Sequence, residues 1–332
     1  MPSAPPSPRP LKRLLSVVVP MLNEARGVDA FLARLIPALE GIEMDYEVIV
    51  VDDGSTDQTF ERAREAHDRN PRIKALALSR NFGKEIAVTA GLRHAAGEAV
   101  VVMDGDLQHP PELIADLVAR WREGYDVVYA QRADRNTDSA SRRAMARIFY
   151  RTFRTLSGTR LHEGAGDFRL LSRRAVDAMN RIGERARFNK GLFAWIGFRS
   201  IGVVYHVAER ADASPSRWRV RRLWHFALDG LASFTTIPLR IWSYVGLAIS
   251  LLAFVSGMGI IIKTLAYGEP VAGYPTLIVS ILFLGGIQLI SLGVIGEYLG
   301  RVYEEVKDRP LYLVGDTIGF DTEPAADGTA TK

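Results

Sequence analysis

Val101-Val-Met-Asp104-Gly-Asp106-Leu-Gln108-His-Pro110-Pro-Glu112 ends an apolar run abruptly in two carboxylates one residue apart. The preceding Ala99-Val100-Val101-Val102-Met103 suits a strand buried on both faces, and open α/β sheets present functional residues at the carboxyl ends of such strands. Asp104 and Asp106 then stand at that edge. Two neighbouring carboxylates repel unless a cation or proton neutralises them, and hard oxygen ligands favour Mg2+ or Mn2+, often completed by substrate phosphates. The stretch also reads as a turn with an Asp helix cap ahead of Pro110-Pro111. Its neighbours decide between the two.

Upstream, short apolar runs alternate with helical patterns: Leu15 to Val19, Val28 to Leu39, Tyr46 to Val51, Glu61 to Asp68, Ile73 to Leu78 and Lys84 to Ala96. Downstream come Pro111 to Glu123 and Asp126 to Tyr129. This alternation predicts an α/β domain, a mostly parallel sheet with helices on both faces. No G-x-x-x-x-G-K phosphate loop is present and no G-x-G-x-x-G follows the first strand, which argues against an ATPase of that type and against a dinucleotide oxidoreductase. The first strand ends instead in Pro20-Met-Leu-Asn23-Glu24 and the second in Asp52-Asp53-Gly54-Ser55-Thr56-Asp57. Carboxylates at two strand ends can accept hydrogen bonds from sugar hydroxyls or a base N–H, giving a nucleoside site without a glycine cradle. A turn and helix cap is the other reading of the second segment, for Asp57 in particular.

The chain has 332 residues, 48% hydrophobic and 24% charged, enough for one sizeable α/β domain with an appendage or for two small domains. With no cysteine, disulfides, thiolate metal sites and Cys nucleophiles are excluded. The net charge of +4 is modest and no nucleic-acid partner is expected, but basic residues crowd the stretch from Arg210 to Arg240. Residues 241–262 and 270–296 carry no charge, and each is long enough to cross a hydrocarbon core. They are read as a transmembrane hairpin, with spans near 241–262 and 273–297, because soluble helices keep a polar face. Glycines such as Gly257, Gly286 and Gly293 allow close helix packing and make a homo-oligomer plausible, while Trp242, Tyr267, Tyr274 and Tyr298 lie where interfacial anchors do. Arg217, Arg219, Arg221, Arg222 and Arg240 precede the first span, and Arg301, Lys307 and Arg309 follow the second. The positive-inside bias therefore expects the large N-terminal domain and both termini in the cytoplasm, in a multi-pass protein of the cytoplasmic membrane. Between the two, residues 211–240 interleave arginines with Trp218, Leu223, Trp224 and Phe226, the pattern of interfacial helices drawn to anionic lipid.

Taken in order, Pro20 to Glu24, Asp52 to Asp57 and Asp104-Gly-Asp106-Leu-Gln108-His-Pro-Pro resemble the motifs of family 2 glycosyltransferases with the GT-A fold. Gly166-Asp167-Phe-Arg169-Leu-Leu-Ser-Arg173, Asn189-Lys190-Gly-Leu-Phe-Ala-Trp195-Ile-Gly-Phe198, Ala227-Leu-Asp-Gly230 and Pro238-Leu-Arg240 extend the resemblance to the polyisoprenyl-phosphate glycosyltransferases, of which the bactoprenol glucosyltransferase branch fits the two spans best. The organisation so implied is a flexible start over 1–13, a GT-A catalytic domain over 14–210, interfacial helices over 211–240, the hairpin over 241–298 and a cytoplasmic tail over 299–332.

The resemblance implies that Pro20, Asn23, Glu24, Asp52 and Asp53 hold the nucleoside of a nucleotide sugar. It implies that Asp104 and Asp106 bind the metal, Mg2+ or Mn2+, and face the diphosphate with Gln108. Lys84, after Ser79-Arg80-Asn81-Phe82-Gly83, lines the nucleotide side on this reading, and Asp167 matches the position of the acceptor-side base. A phosphate monoester acceptor is already largely ionised at neutral pH, so Asp167 is expected to orient sugar or acceptor more than to extract a proton. Lipid phosphate and sugar diphosphate repel, so cations must gather there; Arg132 and Arg169 are the first candidates, with Lys190, Arg210 and Arg217 beside them. In this chain Ser214-Pro215-Ser216-Arg217-Trp218 replaces the Gly-x-Ser-Lys-Trp/Tyr pattern of such relatives, which stiffens the loop.

The expected activity is an inverting transfer of one sugar, UDP-glucose being the favoured donor, to polyprenyl phosphate; mannose, galactose and amino sugars stay open. A processive polysaccharide synthase would carry Gln-x-x-Arg-Trp, whereas Ser214 stands at that Gln position. A catalytically silent, lipid-binding membrane scaffold has no use for Asp104, Asp106 and Asp167 together.

Overall fold

The computed structural model describes residues 14–132, 165–185, 187, 189–205 and 273–320, with isolated positions at 248–249, 255, 258, 262 and 266. It divides into two compact units, residues 1–217 with 309–332 and residues 218–308.

In the first unit the strands β1 (Leu14–Met21), β2 (Asp45–Asp52), β3 (Ile73–Leu78) and β4 (Ala99–Val102) lie parallel, separated along the chain by α1 (Val28–Glu40), α2 (Thr59–Arg69) and α3 (Lys84–His94). These strands are apolar along their length because they are covered on both sides. Val17, Val19 and Met21 of β1 share one core with Phe31, Leu35, Phe60 and the fully buried Trp121 of α4 (Ile114–Arg122). Val18 points to the other face, where the backbone of α3 at Gly91 approaches it. Helices on both faces were legible in the alternation of patterns.

The sheet itself is mixed rather than mostly parallel. Its order among the described residues is β7-β5-β6-β4-β1-β2-β3-β8, with β5 (Val127–Arg132), β6 (Ala165–Ser172), β7 (Ser200–Tyr205) and β8 (Val314–Ile318). β6 runs antiparallel to both β4 and β5, β7 is parallel to β5, and β8 is antiparallel to β3. Apolar runs report burial, not direction, so the reversal was invisible in the sequence. It matters for function, because an antiparallel β6 begins at the edge where β4 ends. After β6 come α5 (Arg173–Arg181), capped by the Ser172 side chain, and α6 (Asn189–Trp195).

The strand β8 lies within the segment expected as a cytoplasmic tail, 299–332. Val314–Ile318 covers the open edge of β3, where unpaired N–H and C=O groups would otherwise face solvent. Ser79 N donates to Leu313 O at 2.9 Å, and Arg64 pairs with Asp316 at 3.0 Å.

In the second unit, α7 (Tyr274–Val306) has 33 residues, about 50 Å of helix, and starts with proline in its first turn. Its stretch Phe283–Gly300 is apolar and long enough to cross a bilayer, and none of it is buried. Leu289, Leu292 and Leu299 are exposed around it. The helix outruns the expected end at 297 because Arg301, Glu304 and Glu305 are good helix formers that continue it past the apolar stretch. It is the one helix of this kind among the described residues. The other expected span, 241–262, lies outside them apart from isolated positions, as do the interfacial segment 211–240 and the start 1–13.

Candidate active site

Four parallel strands deliver their following loops to one edge of the sheet, and the loops are tied to one another there. Asn23, in the left-handed region at φ 55°, accepts from Thr56 N at 2.8 Å and donates its own N–H to Ser55 Oγ at 2.9 Å. Glu24 N donates to Thr59 Oγ1 at 2.9 Å and Ala25 N to Asp57 Oδ2 at 3.1 Å, so Asp57 works as a loop tie as well as beside the start of α2. Asp52 takes both the N–H and the hydroxyl of Ser55, and burial raises its carboxyl above the ordinary value. Asp53 accepts from Phe82 N at 2.8 Å and from Gly83 N at 2.9 Å, fixing the loop that leads into Lys84. Gly54 sits under that loop at φ +69°, where a Cβ would lie 2.3 Å from the Arg80 carbonyl carbon. Only glycine fits that crossing.

The carboxylate pair lies on the next loop. Gly105 between the two aspartates is buried, and a Cβ there would meet Glu24 Oε2 at 3.0 Å. Glu24 therefore lies against the Asp104-Gly-Asp106 backbone. Burial, then Asp106 and Asp104, push its carboxyl up to about 7. Leu107 takes φ 56°, an uncommon conformation for leucine, and Asp106 Oδ1 accepts from Gln108 N at 3.0 Å. Backbone strain at the turn holds Asp106 and Gln108 outward, and both are exposed.

Across β4 the antiparallel register pairs Val102 with Arg169, so two residues further on Asp104 faces Asp167. Lys84 joins them. Its Nζ lies 2.6 Å from Asp104 Oδ1 and 2.8 Å from Asp167 Oδ2, while Lys190 Nζ lies 3.2 Å from Asp167 Oδ1. Burial alone would raise the Asp167 carboxyl, but Lys190, Lys84 and Arg169 hold it well below the usual carboxylate range. Burial works against the Lys84 charge, and Asp167 and Asp104 outweigh it, so its pKa lies above the ordinary lysine value. Both groups stay charged at neutral pH.

Beneath these residues is a buried layer. Arg169 is only 3% exposed, donates to Gly166 O at 2.6 Å and stacks on Phe193 at 4.0 Å from the ring centre. Burial draws its pKa down to about 10, still fully cationic at neutral pH. Glu85 accepts from Asn189 N, and Asn189 Nδ2 donates to Glu85 O at 3.0 Å, joining the start of α3 to the start of α6. His109 shares a 2.7 Å hydrogen bond with the Tyr205 hydroxyl and packs on Phe168.

Most of the residues expected from sequence therefore gather at one edge, several of them bonded to neighbouring loops. The carboxylates of Asp52 and Asp53 and the Asn23 amide oxygen are engaged by their own loops, and Pro20 is buried at the end of β1. Arg169, expected to face the reacting groups, is buried and lies over the Phe193 ring. Arg132 ends β5 at the same edge opposite Tyr205, while its side chain, Arg210 and Arg217 lie outside the described residues. Glu85 and Tyr205 were not anticipated, and Asn189 and His109 had entered only as members of the quoted motifs. The adjacency of Glu85 to Lys84 and of His109 to Gln108 was the available signal.

The side chains of Asp104, Asp106 and Glu24 offer only hard oxygen donors, and burial first, then the two aspartates, raise the Glu24 carboxyl. That fits a divalent cation. Among the described residues no group of three acidic or histidine side chains forms a cluster that could hold a metal ion by itself.

Residues 16–179 match glycosyl transferase family 2 and residues 237–302 match the GtrB C-terminal hairpin. The chain is 48% identical over 310 residues to an uncharacterized glycosyltransferase from Synechocystis, covering 93% of this chain and 97% of that one. It is 43% identical over 300 residues to the SfII prophage-derived bactoprenol glucosyl transferase of Shigella flexneri, covering 90% and 97%. Among solved structures, a mannosyltransferase from Pyrobaculum calidifontis in complex with GDP-Man and Mn2+ aligns over 93% of this chain and 91% of its own, at 19% identity and a TM-score of 0.46.

Proposed function

This chain belongs to glycosyl transferase family 2, in the form that carries a GtrB C-terminal hairpin, and we propose that it transfers one sugar from a nucleotide sugar to polyprenyl phosphate. UDP-glucose is the favoured donor, from the bactoprenol glucosyl transferase relatives at 43% identity. The observation that carries the reading is the bridge made by Lys84 between Asp104 and Asp167. It brings a donor-side carboxylate and an acceptor-side carboxylate within one lysine's reach, with Lys190 behind them.

The reaction is a single displacement with inversion. An oxygen of the lipid phosphate attacks the anomeric carbon, the bond from that carbon to the diphosphate oxygen breaks, and the nucleoside diphosphate leaves. The attacking phosphate is already ionised, so no proton need be removed. A divalent ion held by Asp104 and Asp106 would stabilise the departing diphosphate. Lys84 and Lys190 offset the repulsion between the two phosphate groups, and Asp167 holds both lysines through its two carboxylate oxygens. Arg169 and Phe193 hold Asp167 from behind. Asn23, Asp52 and Asp53 shape the nucleoside side through the loops they tie, with Glu24 between nucleoside and metal. This reading assigns Arg132, Arg210 and Arg217 as further cations for the acceptor phosphate, and Gln108 to the diphosphate.

The GtrB-type hairpin anchors the chain, with the catalytic unit and both ends on the cytoplasmic face of the membrane, where arginines flank the spans. The reading is tested by offering the purified full-length protein a panel of labelled nucleotide sugars with polyprenyl phosphate. A lipid-phosphate-sugar formed from UDP-glucose supports it. Product from another sugar alone corrects the donor, and no lipid product from any donor contradicts the transfer.

A further inference from the structure

Lys84 occupies the place where a cation is wanted, and it does so with an ammonium group that can leave. Its Nζ lies 2.6 Å and 2.9 Å from the two oxygens of Asp104, and its side chain is 44% exposed at the end of a flexible stem. A dication binding through Asp104 would stand within a few ångströms of that ammonium. Two cations so close on one carboxylate repel strongly, so ammonium and metal compete for Asp104. Asp167 is arranged differently. Lys190 holds its other oxygen at 3.2 Å, so Asp167 keeps a counter-charge if Lys84 departs.

The donor supplies what Lys84 needs in order to leave, a diphosphate on the same edge of the sheet. We propose that Lys84 is a placeholder cation that makes divalent-metal binding at Asp104 depend on the nucleoside diphosphate. Without a diphosphate, Lys84 stays on Asp104 and keeps the metal weakly bound. With one, Lys84 moves from Asp104 to a phosphate oxygen and the metal takes Asp104. Metal and nucleoside diphosphate then strengthen each other's binding, and by linkage the effect is reciprocal. Free metal is not held idle beside Asp167, and the lysine arrives on the leaving group with the ion. This rests on the donor site proposed above.

Mn2+ binding to the full-length detergent-solubilised protein, read from the free-ion paramagnetic resonance signal with and without UDP or GDP, tests the inference without any turnover. In the wild type, Mn2+ alone is expected to bind weakly and one of the two nucleotides to tighten it by about tenfold or more. In Lys84→Gln, Mn2+ alone should bind about tenfold tighter than in the wild type, and the gain from nucleotide should shrink to about threefold or less. Lys84→Arg, which keeps the charge, should stay as weak toward Mn2+ alone as the wild type. Unchanged or weaker Mn2+ binding in a folded Lys84→Gln, with the nucleotide gain intact, overturns the placeholder role and leaves the donor site standing. Absence of Mn2+ binding in every protein, with either nucleotide, overturns the donor site as well.

Discussion

Asp167 is surrounded by more positive charge than any other described carboxylate of the site, with Lys84, Lys190 and Arg169 all lowering its pKa. A carboxyl held so low stays ionised at neutral pH, which is the basis of the proposal that Asp167 acts as a fixed anion. Asp167→Asn should therefore slow transfer by about a hundredfold while the acidic limb of the pH–rate profile keeps its position; loss of that limb in the variant would make Asp167 the base. Glu85 behaves in the opposite way. Burial, then Asp167, raise its carboxyl from 4.5 to about 6, so the folded state binds the proton more tightly than the unfolded one. The ionised side chain costs stability as pH rises from 4.5 through 6, and the full cost, about 2 kcal/mol, is present above that range. Glu85→Gln should accordingly melt higher than the wild type at pH 8 and no higher at pH 4.5. Equal gains at both values would refute the assignment. At Gly54, the positive φ and the 2.3 Å approach of the Arg80 backbone together make Gly54→Ala a costly change, about 2–4 kcal/mol in a denaturant titration.

At the scale of elements, β8 carries the clearest consequence. It covers the edge of β3, and through the Ser79–Leu313 hydrogen bond it touches the start of the loop that ends in Lys84. A chain shortened before Leu311 should melt several degrees lower and self-associate through the uncovered edge of β3, which sedimentation would detect. An unchanged melting point would mean that the edge needs no cover. Legibility in the sequence followed the same division. The parallel strands β1 to β4 and their helices could be read because unbroken valine runs and amphipathic spacing each leave a period. The turns after β1, β2 and β4 could be read because Asn23, Asp53 and Asp104 sit where strand ends must fall. The reversed β6, the returning β8 and the buried position of Arg169 could not, since strand direction and the side on which a charged residue lands are set by pairing across distant segments. His109 with Tyr205 and Glu85 with Asn189 are pairs of that kind, 96 and 104 residues apart.

For the whole molecule, an α/β unit and the apolar helix α7 are joined in one chain, and each suits one of the proposed substrates. A nucleotide sugar is water-soluble and suits loops at a sheet edge, whereas a polyprenyl phosphate never leaves the membrane. The stretch Phe283–Gly300 of α7 is apolar, unburied and long enough to cross a membrane, which fits the proposed membrane anchor. The protein should therefore stay in membranes washed with alkaline carbonate and come out only with detergent; release by carbonate would contradict an integral anchor. The central claim is that the edge carrying Asp104, Asp106 and Asp167 moves a sugar from a nucleoside diphosphate onto a lipid phosphate. The most direct measurement is the lipid product made from UDP-glucose and polyprenyl phosphate by the purified full-length wild type and by Asp104→Asn, with Mg2+ or Mn2+ present and with the metal chelated. The account predicts a phosphate-linked glucose of inverted anomeric configuration from the wild type, lost on chelation and reduced at least about a hundredfold in Asp104→Asn. Retained configuration, or full activity in Asp104→Asn, would contradict it.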